Sequence, residues 1–138
     1  MTPEQADRRM RENFESCVLS TIRAHPETEF IFFFPPYSHW YWGYTEKYGV
    51  SDELLRAKAY TARALLAFPN VKVYDFHAAV DVITDLDNYF DILHYSPAIN
   101  RRIVEWIAAD KDRCTPDNID AGVESVRRIA GRAAAEVP

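Results

Sequence analysis

The stretch EFIFFFPP, residues 29 to 36, constrains the fold more than any other part of the chain. An almost unbroken apolar run that ends in Pro35 and Pro36, which lack the N–H a ladder needs, suits a strand buried on both faces, as in parallel sheets. A second run rich in β-formers, VKVYDF at 71 to 76, follows a helical stretch, so residues 29 to 76 read as a βαβ unit with a right-handed crossover. Ser51, with Asp52 and Glu53 behind it, caps the connecting helix; its apolar positions include Leu55, Ala59, Ala62 and Leu66, and Pro69-Asn70 closes it. Upstream, Thr2-Pro3-Glu4-Gln5 has the form of a capping box with proline at the first helical position. Ala6, Met10, Phe14, Cys17, Val18 and Ile22 then recur at helical spacing as far as His25-Pro26. Downstream, Ser96-Pro97 opens a helix carrying Ile99, Ile103, Trp106 and Ile107, and residues 118 to 135 predict an amphipathic helix through Ile119, Val123, Val126 and Ala130. The predicted fold class is α/β with a short parallel sheet.

At 138 residues the chain is one domain by length, able to bury roughly two-thirds of its extended surface. Sixteen basic against 21 acidic residues give a net charge of −5, the wrong sign for a protein that neutralises a nucleic-acid backbone. No window holds the roughly 18 apolar residues that cross a bilayer, and MTPEQADRRMREN is too polar for a signal peptide, so no membrane partner and a cytoplasmic location are expected. Cys17 and Cys114 lack metal-ligand spacing and read as free thiols.

In an open α/β sheet, ligands gather beyond the carboxyl ends of the strands. The first strand empties into PPYSHWYWGYTEKYGV and the second into HAAVDVITDLDNYFDILHYSP, which is long for a connection. Within the latter, a carboxylate at Asp91 three residues before His94 can accept the Nδ1 proton and leave Nε2 free as a general base. The plainer alternative makes Asp91 a loop hydrogen-bonder and His94 a partly buried ring near a helix terminus. Ser38 follows a strand end but lacks the glycine-flanked turn that exposes a nucleophile, and reads as a turn or cleft-lining residue. Trp40, Tyr41, Trp42, Tyr44 and Tyr48 either stack on sugar rings or pack over helices. His25 reads as a helix-end residue, His39 and His77 as surface or loop residues, and Asp75 as a residue that orders the loop after it. DLDNYFD lacks the glycine and the twelfth-position glutamate of a calcium loop, Ser96 standing there, so no metal is expected.

IFFFPPYSHWYW, PNVKVYDF and ITDLDNYFDILHYSPAINRRIVEWIA together resemble, in order and spacing, the C-terminal part of the SGNH/GDSL hydrolase superfamily, and most nearly a bacterial branch with a PPYS strand end and a D-x-x-H loop. The likeness runs from about residue 12 to 130. It implies a partial three-layer α/β/α, flavodoxin-like sandwich, and cofactor-free hydrolysis of acyl esters, acylated carbohydrates among them. By match to the family's last block, Asp91 is the triad acid and His94 the triad base; Tyr37, Ser38, Trp40 and Trp42 would line the substrate cleft. The family's G-D-S nucleophile block has no counterpart here. The resemblance therefore implies either the base-and-acid portion of a hydrolase, completed by a nucleophile from elsewhere, or an inactive binding or assembly module. The uncharged IFFF strand would leave an apolar edge, for which a homodimer or association with a missing N-terminal half is expected.

Overall fold

The structure, a computed structural model, describes residues 2–138. Thr2 opens helix α1 (Pro3–Phe14) with the reciprocal capping box: its Oγ1 accepts the Gln5 N–H at 3.3 Å, and Gln5 Oε1 accepts the Thr2 N–H at 2.9 Å. α1 runs through a π-helical turn (Glu15–Leu19) into α2 (Ser20–Ala24). The wider turn shifts the apolar face, so Leu19 and Ile22 are buried while Cys17, which helical spacing puts on that face, meets solvent.

Strand β1 (Phe30–Phe34) lies parallel to β2 (Val71–Asp75), in register from Phe30 opposite Val71 to Phe34 opposite Asp75. Between them come α3 (His39–Lys47) and α4 (Ser51–Leu66). After β2 follow α5 (Val80–Ile83), a 3-10 turn (Leu86–Asn88), α6 (Pro97–Ala108) and α7 (Ile119–Ala133). The chain is thus mixed α/β, mostly helical, with a two-stranded parallel sheet. Among the described residues no helix is long and apolar enough to cross a membrane.

Three apolar clusters hold these elements together. Phe30, Phe32, Phe34, Val71 and Val73 pack on Leu19, Ile22 and Leu65. Tyr74 and Phe76 pack on Ile99, Ile103 and Trp106 of α6. Trp42 of α3 and Leu55 of α4 meet Val123, Val126, Ile129 and Ala130 of α7.

Two sequence expectations need correcting. β1 is well covered on one face only: on the other, Ile31 and Phe33 remain 47% and 41% exposed, Phe33 resting on Phe76 with ring centroids 6.2 Å apart, while α6 packs on Tyr74 and Phe76. The aromatic stretch after Pro36 is no irregular wall but helix α3, whose Gly43 lies so close to α7 that a Cβ there would stand 2.7 Å from the Ala133 carbonyl oxygen. Smaller is the shift at α4, where Val50 is the N-cap and Ser51 the first helical residue, its hydroxyl donating to Glu46.

The two sheet edges differ. Cys114 N–H donates to the Val73 carbonyl at 2.7 Å and Asp75 N–H to the Asp112 carbonyl at 2.9 Å, so the chain covers β2 itself. Asp110 and Asp112 bend it there with φ of 54° and 55°. Along β1, the even-numbered residues bond toward β2, as Phe30 N–H to the Asn70 carbonyl shows, leaving the backbone groups of Ile31 and Phe33 to face outward.

Candidate active site

The segment between β2 and α6 closes into a small hairpin. Ser96 N–H donates to the Asn88 carbonyl at 2.7 Å and Phe90 N–H to the His94 carbonyl at 2.8 Å, which leaves residues 91 to 94 as the turn. Asp91 organises that turn with both oxygens. Oδ1 accepts the Leu93 and His94 N–H groups, each at 2.7 Å, and Oδ2 accepts His94 Nδ1–H at 2.6 Å. The His94 backbone N–H, then its ring, then the Leu93 N–H favour the carboxylate and bring its pKa down to about 2. In the neutral ring, an Nδ1–H that donates to Asp91 leaves the lone pair on Nε2, which has no partner among the described residues. Asp91 therefore fills both roles open to it from spacing, turn hydrogen-bonder and partner of the ring. His94 is no partly buried ring, since its side chain is 72% exposed and that of Asp91 54%.

Asp91 also lines a shallow groove of about 210 Å³, together with Trp40, Leu86, Tyr89, Phe90 and Ile92. Phe90 is 78% exposed. Of the four residues expected to line a cleft, Trp40 does so. Ser38, fully buried, donates its hydroxyl to the Ile92 carbonyl at 2.6 Å and accepts the Tyr41 N–H at 3.2 Å, which leaves it no role as a nucleophile in this conformation. Trp42 is 3% exposed within the α3–α4–α7 core. Tyr37 packs on Tyr41 and His77, ring centroids 4.8 and 5.6 Å away. The helical period decides this division: it turns Ser38, Trp42 and Thr45 inward together and leaves Trp40 on the outer side.

His77, expected at the surface, is buried among Phe34, Tyr37 and Trp42, with centroids 5.3, 5.6 and 4.8 Å from its ring and Nδ1 without a hydrogen bond. Burial first, and the Lys58 cation second, hold its pKa well below the ordinary value. Lys58 is a further residue that sequence reasoning missed. Its Nζ stands 2.6 Å from Asp75 Oδ2 as a buried ion pair, off the hydrogen-bonding direction. The available signal was a lysine on the buried stripe of α4 between Leu55 and Ala62. Asp75 also orders the loop after it, Oδ1 accepting the His77 N–H at 3.2 Å. His39 lies between elements, Nδ1 donating to the Ile83 carbonyl at 2.9 Å and Nε2 3.2 Å from a Glu136 oxygen. Both cysteines are free, and burial pushes the Cys114 thiol up to about 12.

Compared with known proteins, the chain matches no family model, no curated protein and no solved structure.

Proposed function

We propose that this chain carries the base and acid of an SGNH/GDSL-type acyl ester hydrolase acting on O-acylated carbohydrates, as a portion of that family's three-layer sandwich. The observation that carries the reading is the Asp91–His94 pair, with Nδ1 bonded to the carboxylate, Nε2 without a partner among the described residues, and Asp91 itself lining an aromatic groove. In this reading His94 Nε2 takes the proton of an attacking hydroxyl and later returns it to the leaving alcohol, while Asp91 holds the ring and stabilises the imidazolium. Trp40 and Phe90 offer flat apolar faces to a sugar ring and its acyl group. The attacking hydroxyl belongs to another polypeptide segment, and the open edge of β1 is where a protein partner, a second copy included, would pair. A second reading, an inactive binding or assembly module of the same descent, is favoured by one observation: no hydroxyl of the described residues reaches His94 Nε2.

Titration with glucose pentaacetate, followed by NMR against unmodified glucose, tests the substrate class. Selective shifts at Trp40, Phe90 and His94 with the acetylated sugar are expected, and no response at any of the three overturns the reading. Assays on nitrophenyl esters separate its two forms. The chain alone should turn over no faster than His94→Ala, because a base without a nucleophile and oxyanion donors is a weak catalyst. Once a nucleophile-bearing partner is supplied, saturable hydrolysis that His94→Ala abolishes marks the hydrolase, and continued inactivity marks the binding module.

A further inference from the structure

The residues 36 to 39, at the exit of β1, and the segment 83 to 92 before the dyad meet through three hydrogen bonds. Tyr89 Oη donates to the Pro36 carbonyl at 2.6 Å, Ser38 Oγ to the Ile92 carbonyl at 2.6 Å, and His39 Nδ1 to the Ile83 carbonyl at 2.9 Å. Of these, the Ser38 bond alone enters the turn that carries Asp91 and His94. Its acceptor, Ile92, lies between the two, next to the Leu93 N–H that Asp91 Oδ1 accepts. Ser38 is fully buried, and its backbone is fixed by a second task, since the same oxygen caps α3 through the Tyr41 N–H. The dyad itself is open to water on most of its surface, and its bonds to Asp91 and across the hairpin are all local; among the described residues Ser38 is the one group outside the hairpin that bonds to the turn. A hydroxyl rooted in the packed end of α3 supplies what the turn lacks.

We propose that Ser38 is the positioning residue of the dyad: by holding the Ile92 carbonyl it fixes the peptide plane on which the Asp91 turn is built, and so keeps the His94 ring in the tautomer with Nδ1 protonated and Nε2 open. This rests on the reading of Asp91 and His94 as a functional pair, and it assigns to the serine of the PPYS strand end a place in that pair's geometry rather than in covalent chemistry. Tyr89, bonding to the neighbouring carbonyl of Pro36, supports the same junction one step farther from the dyad.

The test reads the dyad directly in the isolated chain, with no ester present, so its outcome is separate from that of the substrate titration. Nitrogen-15 NMR of the His94 ring reports which nitrogen bears the proton, and carbon-13 NMR of the Asp91 carboxyl follows its titration. In the unaltered protein the Nδ1–H tautomer and an Asp91 midpoint of about 2 are expected. Ser38→Ala should shift the ring toward a mixture of tautomers and move the Asp91 midpoint up toward the ordinary 3.8. Ser38→Thr, which keeps the hydroxyl, should restore both signals. Tyr89→Phe leaves α3 capped and should move both signals in the same direction by less, so the inference stays testable if Ser38→Ala fails to fold. A folded Ser38→Ala protein with the tautomer and the Asp91 titration unchanged would overturn the role, as would a change in those signals that Ser38→Thr reproduces in full; if Ser38→Ala does not fold, an unchanged Tyr89→Phe protein overturns it.

Discussion

Acid destabilises this protein through His77. Its ring is packed by Phe34, Tyr37 and Trp42, and Lys58 already supplies a buried cation beside Asp75, so the native state resists a second positive charge there. The native pKa lies below the unfolded value of about 6.5; once the pH drops under 6.5 the unfolded chain binds a proton that the folded chain refuses. Stability from this group is therefore complete above about pH 7 and falls by about 1.4 kcal/mol per pH unit below 6.5, until the native ring protonates. Urea midpoints between pH 7.5 and 5 should show this slope. His77→Phe should remove that part of it, because the Nδ1 it deletes has no hydrogen bond and the pocket is aromatic on three sides. The ion pair next to it predicts non-additivity. Lys58→Met or Asp75→Asn alone strands one buried partner, at a cost of about 3 kcal/mol, whereas the double variant should lose far less than the sum of the two. A double-mutant cycle by denaturation measures the difference.

Among the elements, α3 and α7 are the pair that glycine brings together. At Gly43 a methyl group would stand 2.7 Å from the Ala133 carbonyl oxygen and 3.0 Å from its Cβ, and neither atom is the end of a flexible side chain. Gly43→Ala should destabilise the protein by about 2 kcal/mol through forced separation of the helices, despite the better helix propensity of alanine. Gly131, within α7, has no atom in the way of a Cβ, and Gly131→Ala should add up to about 1 kcal/mol. Thermal melts of the two variants, moving in opposite directions, separate close packing from intrinsic propensity. The α3 packing also orients the site, because Trp42 and Ser38 face inward on the same side of the helix while Trp40 stays in the groove.

At the scale of the molecule, the sheet is finished on one edge and open on the other. Residues 112 to 114 cover β2, while β1 turns the backbone groups of Ile31 and Phe33 outward beneath exposed apolar side chains. Such an edge promotes pairing with further strands. The chain should therefore associate in a concentration-dependent way, measured by light scattering. Phe33→Lys, which places a charge on that edge without touching the Phe30, Phe32 and Phe34 face, should reduce the association. A monomer at all concentrations, compact and without dye binding, would show that one covered face suffices.

Several features were legible in the residues themselves. Capping chemistry, apolar spacing and proline stops are local, so α1 through α2, both strands, α6 and α7 stand close to where spacing placed them, and Asp91 three residues before His94 is within reach of that residue's N–H and ring. The remainder depended on contacts between distant segments. HWYWGYTEK has no clear apolar period, and it became a helix because Trp42 and Gly43 meet α7. His77 reads as a loop residue in isolation, and it is buried only because Tyr37 and Trp42 of α3 and the segment before it come to the end of β2; Lys58 lies on the apolar stripe of α4, but its partner Asp75 is set by the same approach. Which serine meets the dyad turn, and that it does so as a donor to a carbonyl 54 residues away, is likewise decided by how the two strand exits are brought side by side. Periodicity and capping reside in neighbouring residues and survive without the fold; burial, pairing and the direction of a hydroxyl exist only once remote surfaces exclude water between them.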